Sequence, residues 1–351
     1  MKASFFLITA LLLLLFSCSL YIDEEKPDIF FEYKDFEVLE LGSSFSDMLI
    51  TKNGSLIFLA DYSNNKIIKI KTEDVMEMQD YTLVGSHPSA IDLNPQESKI
   101  AVALEGESKI KILDINSLSI DNAFPISLMN VNDLIFLNDS ILVISSLTDP
   151  ACITLNINNG NQKSQSVLNG ELAVDKNRSV LYVAAMSSIK KYNWNGESFF
   201  QDPNISDPYG FVGSINHFLY EPINNTILLC IRSDEENSIV QHVYSYNANS
   251  MTFSGKYLTK SAGLAVGISE DGNRVFIAPT DADDIGVFII EFDYQTKLES
   301  NYYLSAGNLT KRGLVLHTET SYIYTLVNIP GDDNSFEPYN NYLYDLQRIK
   351  I

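Results

Sequence analysis

The residues of this chain best suited to chemistry are acids in turn-like stretches, and they come without the partners that catalysis needs. Asp281, Asp283 and Asp284 precede Gly286 in Asp-Ala-Asp-Asp-Ile-Gly. Hard oxygens that close together suit calcium, and the glycine suits a tight turn. The match to a calcium loop is partial, because the third alternating acid and the glutamate at its twelfth position are missing. Asp234, Glu235 and Glu236 form a second acidic run, and Asp332 and Asp333 a third. No Gly-x-Ser-x-Gly elbow is present to carry a nucleophilic serine. His217, His242 and His317 stand apart in strand-like stretches, and no two histidines have ligand spacing, so they read as satisfied or surface residues. Lys311 and Arg312 make a lone basic pair in Asn-Leu-Thr-Lys-Arg-Gly. They either pair with neighbouring acids or hold an anionic ligand.

The N-terminus has a different chemistry. Lys2 precedes an apolar run over 5–16, which is the length of a signal-peptide core and short for a membrane span. Leu15-Phe16-Ser17-Cys18 follows, and the chain turns polar at Asp23. This segment resembles a bacterial lipobox, with Phe16 bulkier than its usual occupant. The resemblance implies cleavage before Cys18 and lipidation of its thiol. Residues 1–17 are then a signal peptide, 18–28 a lipidated tether and 29–351 the folded domain. Acyl chains contribute roughly 0.8 kcal/mol per buried CH₂, enough to hold a multiply acylated chain on a membrane. Ser19 stands where an aspartate would retain such a chain at an inner membrane, so an outer membrane or cell surface is expected.

Cys152 and Cys230 lie in apolar runs, Ala-Cys-Ile-Thr-Leu and Leu-Leu-Cys-Ile, and read as small buried hydrophobes. The formal charge of −21 disfavours nucleic acid, whose phosphates it would repel. It leaves a solvated acidic surface, a basic partner or a cation as open readings. Tyr and Phe, 19 of each, recur with Ile, Val and turn residues, which points to an all-β chain.

Internal repeats settle the architecture. From Gly85 the chain reads GSHPSAIDLNPQESKIAVALEGESKIKILDINSL, with a turn at Asn94-Pro95 and an acidic hairpin at 105–108. From Ala262 it reads AGLAVGISEDGNRVFIAPTDADDIGVFIIEFDYQT, with an Asp271-Gly272 turn. Looser copies begin near Ser46, Val131, Glu171, Ile215 and Arg312. These units resemble the YVTN-type propeller repeat. The resemblance implies an all-β, seven-bladed β-propeller of four-stranded antiparallel blades, at roughly 48 residues per blade. The last unit stops after its third strand, and residues 29–41 are strand-like but belong to no unit. They are expected to complete the C-terminal blade and close the ring. Only residues 73–79 could form a helical turn or two. The tryptophans of quinoprotein propellers, the paired glycines of kelch repeats and the Gly-His…Trp-Asp of WD40 repeats are absent.

The resemblance also aligns the loops that share one face. Between second and third strands stand Asp61 with Asn64 and Asn65, Glu105 and Glu107, Asp149, Ser187 and Ser188, then the three acidic runs. The loops leading into the blades add His87 and Arg312. An acidic crescent is expected on that face. Its acids are turn chemistry, a docking surface for a basic partner, or a calcium site at Asp281, Asp283 and Asp284. With no catalytic set legible, the expected function is a surface-anchored, monomeric module that binds a protein or glycan without cofactor. The alternative is a lactonase-like hydrolase acting in the central channel, and a convergence of His, Arg and Glu at the channel mouth would favour it.

Overall fold

A computed structural model describes residues 36–185, 188–205, 213–233, 242–259, 261–280, 288–317, 319, 321–328 and 343–351. Cys18, Asp234, Glu235, Glu236, Asp281, Asp283, Asp284, Asp332 and Asp333 lie outside the described residues. So does the proposed calcium site.

The described strands form a seven-bladed β-propeller of four-stranded antiparallel blades. Blade 1 comprises Phe45–Ile50, Leu56–Asp61, Lys66–Lys71 and Glu77–Leu83. The innermost strands of blades 2 to 7 are Pro88–Leu93, Val131–Phe136, Glu171–Asp175, Gly213–Glu221, Gly263–Ile268 and Asn308–His317. Each second strand is apolar along its length because neighbouring blades cover both its faces. Ile57, Phe58, Leu59 and Ala60 are fully buried, as are Ile100 to Leu104. The outermost strands meet solvent, and Glu77–Leu83 is exposed at nearly every position.

The segment expected to form a helical turn does not. Residues 73–75 bend, and from Glu77 the chain pairs with Lys66–Lys71. A blade needs a fourth strand, and the backbone hydrogen bonds of that ladder outweigh a weak local helical pattern.

The ring closes as the repeat pattern requires. Phe36–Ser43 pairs antiparallel with Tyr344–Lys350 as the outer strand of blade 7. Glu37 meets Arg348 at 2.5 Å and accepts the Met76 amide at 2.8 Å, tying blade 7 to blade 1. Asp345 accepts the amides of Leu41 and Gly42 at 2.6 and 3.0 Å. A second tie runs through Gly54, in the first turn of blade 1. It has φ +67°, and a Cβ there would lie 2.3 Å from Cγ of His317 in blade 7, so only glycine fits.

Cys152 and Cys230 are free and buried in blades 3 and 5. Burial pushes the Cys152 thiol up to about 12 and raises Cys230 as well, so both behave as hydrophobes.

Candidate functional site

The seven innermost strands surround a cavity of about 360 Å³ on the propeller axis. Its aliphatic wall comes from Leu49, Ile135, Leu219, Ile268 and Leu316. Its polar groups are Asp47, Asp92, Asp133, Glu171, His217 and Arg312, from six different blades.

A repeated local device places three of them. Asp47, Asp133 and His217 each follow an irregularity in the pairing of the first two strands. In blades 1 and 3 the acid binds twice. Asp47 accepts the Met48 amide at 2.9 Å and, across the blade boundary, the Ile91 amide at 3.0 Å. Asp133 does the same with Leu134 and Leu172, both at 2.9 Å. In blade 5, His217 Nδ1 accepts the Val266 amide of blade 6 at 3.0 Å. The preceding residue is also polar and reaches the same neighbour. Ser46 donates to the Pro88 carbonyl at 2.6 Å, Asn132 to Glu171 Oε1 at 3.3 Å, and Asn216 to the Gly263 carbonyl at 2.8 Å. Lower in the channel, Asp92 accepts the Phe136 amide at 2.6 Å and pairs with Lys176 at 3.1 Å. Each blade boundary fastened this way gains charge-assisted bonds of about 1.5–3 kcal/mol where the acceptor is ionised.

Arg312 closes the ring of charge. Its guanidinium bonds Glu171 and lies 3.5 Å from Asp133, so blade 7 is fastened across the channel to blades 3 and 4. Lys311 stands 3.8 Å from Glu171. Arg312 holds φ +57°, a conformation that costs a non-glycine residue energy and persists when its surroundings impose it. Of the two readings of this basic pair, pairing with neighbouring acids is the one observed.

Burial dominates the electrostatics. It pushes the Asp47 carboxyl up to about 6, against the pull of Arg312 and two amides. It raises Asp133 as well, Arg312 opposing and Glu171 reinforcing. Burial also works against Glu171, yet Arg312 and Lys311 beside it hold it below the usual carboxylate range. Burial, with Arg312 adding to it, pushes His217 down to about 4. A neutral ring whose Nδ1 accepts a hydrogen bond carries its proton on Nε2.

These shifts set a pH dependence. Asp47 is raised from 3.8 to about 6 on folding, so the folded chain binds more protons in that interval. Its contribution is full below the unfolded value and is lost as pH rises through the folded one. Asp47→Asn is therefore expected to gain on the parent as pH rises from about 4 to about 6 and to keep a constant difference above. Urea unfolding midpoints of the two proteins across that range check this. His217 runs the other way, its contribution being lost as pH falls toward about 4, which is why the difference between proteins is the readout.

The described loop residues expected on the acidic face divide into two kinds. Asp61 is fully buried and does not belong to that face, a correction. Its carboxylate accepts from Ser43 at 2.5 Å and from the Asn64 amide at 2.9 Å, which shapes the turn. Glu105 and Glu107 stand in a short 3₁₀ turn beside His87. Glu105 accepts from Tyr62 at 3.2 Å, and His87 stacks on that tyrosine with centroids 4.6 Å apart. Glu107 accepts from Lys109 at 2.9 Å and from the Ser86 amide at 3.0 Å, and both hold its carboxyl below the usual range. Asp149 accepts from Ser146 and from the Met129 amide, at 3.0 and 3.3 Å. Beside it Met129 is 64 % and Leu147 73 % exposed.

Residue spacing did not expose Asp47, Asp133, Glu171 or His217. The signal that could have found Asp47, Asp133 and His217 is a small polar residue followed by Asp or His at the start of alternate repeats: Ser46-Asp47, Asn132-Asp133 and Asn216-His217. Sequence spacing also missed that Glu270, His317 and Glu319 bring ligand atoms within 4.8 Å of one another, a set that could hold a metal ion. The buried His317 already meets the Lys52 carbonyl at 3.2 Å through Nε2, and that contact would compete with a metal.

No family model matches the chain, and no curated protein matches it. Solved chains that resemble it number 1612, so this likeness carries fold and nothing finer. One is a structure described as that of U3-55K, 14 % identical, with a TM-score of 0.67 over 90 % of this chain and 98 % of that one. The chain thus shares a seven-bladed propeller fold with that structure.

Proposed function

We propose that this chain is an envelope lipoprotein, anchored through Cys18, whose propeller is a non-enzymatic binding module for a basic protein partner. The lipobox-like flanks of Cys18 support the anchor. One observation carries the binding reading: Met129 and Leu147 are both exposed, on two loops joined by the bond of the Leu147 amide to the Asn130 carbonyl at 3.0 Å. Solvent-facing apolar side chains grouped among charges mark contact surfaces, and methionine is enriched in them. Asp149, in the Leu147 loop, accepts the Met129 amide, and Glu105 and Glu107 stand in the corresponding loop of blade 2. A basic segment with an apolar anchor matches that chemistry.

A second reading, hydrolysis in the channel, draws on the convergence of His217, Arg312, Glu171 and Asp133 at the cavity. Their present bonds favour the first reading. The His217 Nδ1, both Asp133 oxygens and the Arg312 guanidinium hold neighbouring blades or strands together.

The test is affinity capture from the chain's own membranes with the parent and with a Met129→Asp, Leu147→Asp variant. The parent is expected to retain a basic protein that the variant loses at least tenfold, with unchanged thermal unfolding. Retention of a glycan instead, equal capture by both proteins, or turnover of a panel of lactones and esters by the parent would overturn the proposal.

A further inference from the structure

The central cavity has an imbalance of charge that its own residues do not correct. Four carboxylates line it, Asp47, Asp92, Asp133 and Glu171, against one guanidinium. Lys176 neutralises Asp92 from below, and Lys311 and Arg312 serve Glu171. Asp133 shares Arg312 at 3.5 Å. Asp47 has no cation within ion-pair distance among the described residues. It is only 9 % exposed, and its two hydrogen bonds come from backbone amides. A carboxylate removed from water without a counter-ion is costly, and a cation that enters its cavity relieves that cost. The same cavity offers aliphatic side chains from five blades, beside which an apolar chain is sheltered from water.

We infer that the channel cavity is a binding site for a small organic cation, a primary ammonium carrying a short aliphatic chain, with Asp47 as the anchor of the ammonium. The Leu49, Ile135, Leu219, Ile268 and Leu316 side chains receive the aliphatic part. Asp133, held at one oxygen by Leu172 and at the other by Leu134 and Arg312, is the second acceptor within the ring. The volume, near the lower end of ligand pockets, sets the size class at a few carbons. Charge gives selectivity: a neutral alcohol of the same length adds no charge to Asp47, on which Arg312 acts only from beyond ion-pair distance, and a carboxylate faces four acids against one guanidinium. The inference is independent of the proposed protein-binding face.

Calorimetric titration of the full chain at pH 8 tests it, with pentylammonium, pentanol and pentanoate as probes. Pentylammonium is expected to bind at least tenfold more tightly than either of the others. Asp47→Asn is expected to weaken the ammonium at least tenfold, a loss that a merely apolar cavity would not show. Binding should also weaken below about pH 6, where Asp47 takes up a proton. Equal binding of amine and alcohol, preference for pentanoate, unchanged affinity in Asp47→Asn, or no binding at tens of millimolar would each overturn the inference.

Discussion

Replacing Arg312 by methionine is expected to destabilise the propeller by about 3–5 kcal/mol, the usual cost of removing one partner from a buried ion cluster. The side chain is 12 % exposed and serves Glu171 and Asp133 together, so its loss leaves Asp133 without a paired cation and Glu171 with only Lys311, at 3.8 Å. Methionine keeps volume and packing, which confines the effect to charge. Arg312→Lys should recover only part, because an ammonium cannot present a planar fork to two carboxylates. Adding Glu171→Gln and Asp133→Asn to the methionine variant should restore more than lysine does, since the stranded charges go with the guanidinium. The sign with pH follows from Asp133. Its carboxyl is raised by burial, so it takes up a proton as pH falls and one of the stranded charges disappears. The penalty of Arg312→Met is therefore largest in mild alkali and shrinks toward acid. Denaturant unfolding at several pH values measures both statements. A pH-independent loss would show that the cost came from packing.

Removing residues before Phe45 is expected to have a larger effect still. The outer strand of blade 7 disappears, which uncovers the ladder of Tyr344–Lys350 and one side of Leu346 and Ile349. The Glu37 contacts with Arg348 and the Met76 amide are lost with it, and with them the tie between blades 7 and 1. An open strand edge invites pairing with other chains. The shortened protein should unfold on the order of 10 °C lower or more, and should self-associate, as seen by calorimetry and light scattering. A synthetic peptide spanning 36–43, added in trans, should restore part of the loss. A shortened chain that melts like the parent would mean the ring holds without its closing strand.

Much of this architecture was legible in the residues. The apolar second strands, the turns at Asn94-Pro95 and Asp271-Gly272, and the unowned strand before residue 41 specify seven blades and their closure. Each is a local property that repeats. Period-2 and continuous apolar runs are set by burial, and glycine turns by backbone sterics. The acids were legible only as composition. Asp61 and Asp149 look alike in a loop alignment, yet one is buried in a turn and the other borders an exposed apolar pair. Burial depends on neighbours far along the chain, which no loop composition records.

The channel was the least legible part. Ser46-Asp47, Asn132-Asp133 and Asn216-His217 were visible as letters within the repeats, but the residues they fasten lie about one blade further along. Arg312 is farther still from its partners, since Glu171 is 141 positions away. Local sequence could show a basic pair and scattered acids. Only closing the ring brings blades 3, 4 and 7 to one axis, where low solvent access turns those letters into raised and lowered acidities and an unbalanced carboxylate. Short-range sterics and periodicity write blades into the chain. Long-range burial and charge pairing, which exist only once those blades meet, make the site.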